Sequence, residues 1–358
     1  MRAIAAMSGG VDSAVSAALL RERGYDVEGL TMLLWKEPSA QGDEMDGISA
    51  ARSVCLHLGI PHHVIDLREP FLQRVVAYFV REYARGRTPN PCLQCNRLLK
   101  FGLLLDYAKE QGYAFLATGH YARIEQTGEA YRLLSGLDAS KDQSYVLYAL
   151  QQRHLASVLL PLGELYKTQV RALAARWRLP VAERPESQDV CFLRDNDYRR
   201  FLIERSPEAI VPGPIYDQQG RLRGQHKGLP FYTVGQREGL GIAAGQPLYV
   251  LELDIQRNAL VVGTAQELGH HALLAEEMSY ISGQELLPGT PVEAKIRYRA
   301  RRVPARVWGL PNMQARVILE QPLRDITPGQ AVVLYQGEQL LGGGIIARAI
   351  QCEPTPGE

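Results

Sequence analysis

Cys92 and Cys95 stand three residues apart in Thr88-Pro-Asn-Pro-Cys-Leu-Gln-Cys-Asn96, and a third thiol, Cys191, lies far along the chain in Ser187-Gln-Asp-Val-Cys-Phe192. Thiolates attack electrophiles, exchange disulfides and bind soft metals. The C-x-x-C pair reads first as half of a zinc knuckle, but a closed site needs four ligands and only one other internal cysteine is at hand. The plainer alternative for Cys191 by itself is a buried apolar residue. The spacing puts Cys95 just before a helix capped by Asn96, where the positive end of the dipole lowers a thiol pKa. Cys191 likewise precedes a helical stretch from about Asp195. Cys55, beside Leu56 in a helical pattern, reads as core, and Cys352 as an idle tail residue.

The second dense motif is Ser8-Gly-Gly-Val-Asp-Ser13. Gly9 and Gly10 let backbone approach a phosphate with no Cβ in the way. The helix that follows aims free N–H groups and a partial positive charge at an anion. Ser8 and Ser13 offer hydroxyl donors, and Asp12 a carboxylate for Mg²⁺. Without Gly-Lys-Ser/Thr this is not a Walker loop. The plain alternative is a helix start capped by Asp12 and Ser13.

Both motifs need a scaffold that brings them together. Apolar runs at Ala3–Met7, Val27–Leu34, His63–Leu67 and Ala114–Thr118 alternate with helical patterns near Ala14–Arg23, Gly47–Leu58, Phe71–Ala84 and Arg97–Glu110. This alternation predicts an α/β domain over 1–205, a doubly wound parallel sheet with ligands at the carboxyl ends of its strands. Gly119, after the fourth strand, permits close approach of a ligand at that edge, or is a turn glycine. After Pro207, glycine and proline punctuate short runs such as Leu248–Leu253 and Leu260–Val262, a small β-rich domain over 206–270. Period-two runs divided at Pro288-Gly289 and Pro328-Gly329 predict an antiparallel β-barrel over 271–358, ending in a frayed Glu353–Glu358 tail.

The chain has 358 residues, 46% hydrophobic and 22% charged, which excludes a disordered or fibrous protein. No apolar run reaches the roughly 18 residues of a membrane span, and the first residues make no signal peptide. Five unevenly spaced cysteines point to a reducing, cytoplasmic setting without a disulfide framework. Lys and Arg number 40 against 39 Asp and Glu, so only the distribution of charge is informative. Lys295, Arg297, Arg299 and Arg301 alternate with Ala294, Ile296, Tyr298 and Ala300. On a strand they form one basic face, suited to a phosphate backbone or simply solvated. Arg302 and Arg306 extend it, and the direction of Tyr298 stays open.

Ser-Gly-Gly-x-Asp-Ser after the first strand resembles the pyrophosphate loop of the N-type ATP pyrophosphatases. These adenylate a carbonyl oxygen and let ammonia or sulfur displace AMP. With Ala117-Thr-Gly-His-Tyr-Ala122, Lys141-Asp-Gln-Ser-Tyr145, Tyr232-Thr-Val-Gly-Gln-Arg-Glu-Gly-Leu-Gly241 and Ile296-Arg-Tyr-Arg299, the chain resembles the tRNA-specific 2-thiouridylases of the MnmA type from end to end.

That resemblance implies ATP-dependent 2-thiolation of the wobble uridine of tRNA. Cys95 would be the nucleophile and Cys191 the persulfide carrier, the two closing as a transient disulfide. ATP would lie on Ala6, Met7, Ser8, Gly9, Gly10, Val11, Asp12, Ser13, Met32 and Gly119, with Mg²⁺ on Asp12. Asn90, Pro91 and Cys92 would frame the target base; His120, Lys141, Asp142, Gln143, Tyr298, Arg299 and Gln330 would contact tRNA. Some members carry aspartate where this chain has Cys92, so three thiols stand ready for a [4Fe–4S] cluster with one open iron, the less favoured route. The other alternative is an amidating ligase of the same superfamily. Implied partners are tRNAs for Lys, Glu and Gln and a cysteine desulfurase or sulfur-relay protein. The enzyme is expected to act as a monomer, away from membranes.

Overall fold

Ala3 and Ala5 turn to one face of the first strand and Ile4 to the other, and both faces are buried. Such a strand belongs inside a sheet covered by helices on both sides. The computed structural model describes residues 1–35, 43–186, 190–193 and 195–350. Four strands, β1 (Arg2–Ala6), β2 (Asp26–Leu33), β3 (His62–Asp66) and β4 (Phe115–Ala117), pair in parallel in the order β3-β2-β1-β4, and Val158–Leu159 adds an edge beside β4. Two helices, α1 (Val11–Glu22) and α2 (Asp43–Leu58), pack on the face that also buries Cys55. The other face packs against a continuous helix over 91–110.

The strand order reverses between β1 and β4, so the crevice of a doubly wound sheet opens at their carboxyl ends. The expected strands stand, each shifted by about one residue. Helices α1, α2 and the helix over 91–110 begin earlier than the apolar pattern suggested, at Val11, Asp43 and Pro91.

A four-stranded sheet runs through Gly213–Asp217, Leu222–His226, Tyr249–Asp254 and Ala259–Gly263. The last strands, from His270 to Ile350, form an antiparallel sheet that closes on itself where His270–Tyr280 pairs with Gln339–Ile350. The hairpin Ala122–Thr127/Ala130–Ser135 leaves the first domain and pairs with this barrel, Leu134 opposite Gln339 and Leu133 opposite Leu340. Ile4, Leu104, Tyr145, Val333 and Ile345 share one buried cluster, so sheet and barrel have a common core. Sequence patterning missed this hairpin. The expected tail, Cys352 and Ser187–Asp189 lie outside the described residues.

Candidate active site

The phosphate loop is organised by its own hydroxyls. The Ser8 N–H donates to Ser13 Oγ at 3.2 Å, and Ser13 Oγ donates to the Gly10 carbonyl at 3.0 Å. Ser13 is therefore a staple of the loop as well as part of its wall. Gly10 is the N-cap of α1 and no side chain caps that helix, so its first N–H groups are available to an anion. A Cβ on Gly119 would lie 2.9 Å from the Asp12 carbonyl carbon and 3.0 Å from Ser13 N. The close approach that requires glycine there is made to the phosphate loop itself.

Sequence reading missed Lys167, the first residue of the helix Lys167–Arg176. Its Nζ reaches the Asp12 carboxylate oxygens at 2.7 and 2.8 Å and Glu186 Oε1 at 2.7 Å. The Tyr121 hydroxyl donates to Asp12 Oδ1 at 2.7 Å, and Lys141 holds the other Glu186 oxygen at 2.7 Å. Burial alone would raise the Glu186 carboxyl, but Lys141 and Lys167 hold it down at about 2. Asp12 is thus already matched by an ammonium. Among the described residues no three His, Cys, Asp or Glu side chains gather to hold a metal. With Asp12 held by Lys167, this donor set does not fit a protein-built Mg²⁺ site.

The helix over 91–110 begins at Pro91. Asn90 is its N-cap, its Oδ1 accepting the Cys92 N–H at 3.1 Å, and proline sits at the first helical position. The expectation of a cap at Asn96 is corrected accordingly. Cys95 lies one turn inside the helix, at the start of a π-helical stretch, Cys95–Leu104. It gains no dipole benefit; burial pushes its thiol up, Lys100 opposes this, and Cys92 adds to it. Burial also pushes up Cys92, again opposed by Lys100. The Cys191 thiol is pushed up to about 12 by burial, then by the negative charges of Cys95 and Cys92. Cys92 and Cys191 nonetheless open to solvent through the cavity they line, whose crowded walls account for the shift. The helix after Cys191 starts only at Tyr198, capped by Asp197, so Cys191 sits clear of its dipole.

One cavity of about 560 Å³ unites the two motifs. Ala6, Met7, Ser8, Asp12, Ser13, Met32 and Gly119 line its phosphate-loop side; Pro91, Cys92, Cys95, His120, Gln143 and Cys191 line the rest. Gly9, Gly10, Val11 and Asn90 flank it without lining it. Lys100 also lines it and was missed: among the described residues it has no hydrogen bond or ion pair, and it faces three thiols. No local sequence signal marks it: Lys100 meets Cys95 because i→i+5 bonding in the π-helical stretch brings a residue and the fifth after it toward one face.

The remaining expected residues divide. His120 is buried, its Nδ1 2.8 Å from Thr118 Oγ1, and burial holds its pKa well below the usual value, leaving a neutral ring on the cavity. Asp142 is a loop staple, Oδ1 accepting the Gly136 and Ser144 N–H groups at 3.0 Å each. Gln143 Oε1 accepts the Tyr121 N–H at 3.0 Å. The basic face is corrected: the strand Thr290–Lys295 ends before the arginines, and 296–302 is a turn. Arg297 is engaged by Thr327 and Asp325, and Arg302 stacks on Tyr335 and bonds Ser135. Arg299 and Arg301 stay exposed. Tyr298 packs edge-on against Tyr145, and burial pushes its hydroxyl up, with Gln143 and Cys92 of the cavity among its neighbours. Gln330 Nε2 donates to the Thr88 carbonyl at 2.7 Å.

Three family models match the chain: a tRNA methyl transferase HUP domain over 1–195, a tRNA methyl transferase PRC-barrel domain over 199–264, and an aminomethyltransferase β-barrel domain over 270–346. Curated relatives match along their whole length. The tRNA-specific 2-thiouridylase MnmA of Carboxydothermus hydrogenoformans is 47% identical, covering 98% of both chains. The proteins of that name from Moorella thermoacetica and Roseiflexus castenholzii are each 48% identical, covering 97% and 96% of this chain and 99% and 98% of theirs. The domain descriptions speak of methyl transfer, but these relatives are thiouridylases, and a cavity with three thiols suits sulfur. With such identity over nearly every residue, the chain belongs to the MnmA-type tRNA-specific 2-thiouridylases, a family of sulfurtransferase enzymes.

Proposed function

We propose that this enzyme adenylates the C2 oxygen of the wobble uridine with ATP and replaces that oxygen with sulfur carried on Cys191. The observation that carries this reading is the single cavity shared by the phosphate loop and the three thiols. ATP fits along Ala6–Ser13, Met32 and Gly119, its phosphates on the open N–H groups of α1. Mg²⁺ would arrive on the phosphates themselves, as that ion usually keeps few protein ligands. Lys167 is poised to pass from Asp12 to the departing pyrophosphate.

Uridine turned out of its loop would enter beside Asn90, Pro91 and Cys92, with Tyr298, His120 and Gln143 around it. The Cys95 thiolate attacks Sγ of the Cys191 persulfide. The S–S bond breaks, a Cys95–Cys191 disulfide forms and hydrosulfide leaves. Hydrosulfide attacks C2; the C–O bond breaks and AMP takes its electron pair, while the hydrosulfide proton goes to solvent. An external dithiol then attacks the disulfide, returns both cysteines to thiols and leaves as its own disulfide. Arg299 and Arg301 would meet tRNA phosphates. A cysteine desulfurase or relay protein would load Cys191, in the cytoplasm, onto a single chain acting on tRNAs for Lys, Glu and Gln.

Incubation with tRNA, ATP and a persulfide donor tests the reading. Thiolated uridine that disappears in both Cys95→Ser and Cys191→Ser supports it. Full activity in either variant contradicts it.

A further inference from the structure

Thr88 opens the segment that carries Asn90, Cys92 and Cys95, and it is held from two other domains. Its N–H donates to the Pro328 carbonyl at 2.8 Å. Its carbonyl accepts the Gln330 Nε2–H at 2.7 Å. Its hydroxyl lies 2.9 Å from Thr233 Oγ1. Between the two barrel partners sits Gly329, at φ +91, where a Cβ would lie within 2.9–3.0 Å of Thr88 backbone atoms. Pro328-Gly329-Gln330 thus grips the peptide group of Thr88 on both its donor and acceptor sides. Arg87, one residue earlier, continues the connection through an ion pair with Glu276 of the barrel at 2.6 Å.

A surface loop has no need of three separate anchors to keep its backbone satisfied, since water serves that purpose. Asn90 must cap the helix and Pro91 must start it before Cys92 and Cys95 face the cavity, and both are fixed only if the chain approaches from one direction. A misplacement of about 1 Å at a reacting group costs on the order of a hundredfold in rate.

We propose that the barrel segment Pro328–Gln330, with Thr233, is a positioning clamp for the cysteine loop. Gln330 then acts in the chemical step through Thr88, whether or not it also touches RNA. The proposal rests on the reading of Cys95 as the nucleophile.

The test uses the full-length protein and Gln330→Leu, which keeps the size and removes the donor, with Thr233→Val as a second, independent release. Amide hydrogen exchange over 87–95 is measured without tRNA, beside steady-state thiolation at varied tRNA. The clamp predicts at least tenfold faster exchange over 87–95 in both variants and unchanged protection in β1. It also predicts a kcat loss of tenfold or more that exceeds any rise in KM. Gln330→Lys, which restores a donor of sufficient reach, should recover slow exchange. Unchanged exchange over 87–95 with only a raised KM would overturn the clamp and leave Gln330 as an RNA contact. Faster exchange with unchanged kcat would overturn it too. The nucleophile reading fails separately, if Cys95→Ser retains thiolation.

Discussion

Lys167 Nζ lies 2.7 and 2.8 Å from the two carboxylate oxygens of Asp12, which stands in the first turn of the helix that the phosphate loop opens. The loop therefore carries a neutralised pair where an isolated carboxylate would repel ATP. Incoming phosphates can take over the ammonium. Lys167→Met leaves Asp12 unpaired beside the phosphate site. We expect pyrophosphate release to fall by about a hundredfold while tRNA binding is retained. Pyrophosphate release near the parent rate would remove Lys167 from the phosphate chemistry.

Glu186 is held between Lys141 and Lys167 with its carboxyl at about 2, below the ordinary value of 4.5. Because the folded value is depressed, the stabilisation is complete above the ordinary value and is lost as pH falls from there through about 2. Glu186→Gln should flatten the dependence of unfolding stability on pH between those limits. Parallel parent and variant curves in denaturant titrations would show that the pair contributes nothing.

Lys100 opposes the upward shift at Cys92, Cys95 and Cys191 alike. Removing its charge in Lys100→Met should make the thiolates scarcer, moving the alkylation pH profile up by about one unit. Lys100→Arg should largely restore the profile. Iodoacetamide rates with peptide mapping make the comparison, and coincident profiles for parent and Lys100→Met would refute the effect.

Arg299 is exposed on the turn after the strand Thr290–Lys295. Arg299→Ala should weaken tRNA binding several-fold and lower the salt slope by about 1, with ATP affinity unchanged. An unaltered salt dependence would take Arg299 off the RNA path.

The parts of the site written in local patterns were legible in the sequence. Ser8–Ser13 follows a buried strand and opens a helix, so its place at the sheet edge followed from alternation alone. What sequence could not supply was set by contacts between distant segments. Lys167 meets Asp12 across 155 residues, and nothing near Lys167 signals it. The start of the cysteine helix was misplaced because Asn96 looked like a cap, whereas Asn90 followed by proline made the stronger one. The basic strand failed for a related reason: alternation continued past Lys295, but the chain turns there and Arg297 and Arg302 fold back to Thr327, Asp325 and Tyr335. The hairpin at 122–135 is too polar at its tip to announce that it joins the barrel.

The most direct test of the central reading is anaerobic thiolation of tRNA by purified enzyme with ATP and a persulfide source, with iron quantified in the same sample. Sulfur transfer through Cys191 and Cys95 predicts thiolated wobble uridine from iron-free protein, lost in both Cys95→Ala and Cys191→Ala. Product formed only by protein that holds about four irons would contradict it and make Cys92, Cys95 and Cys191 cluster ligands.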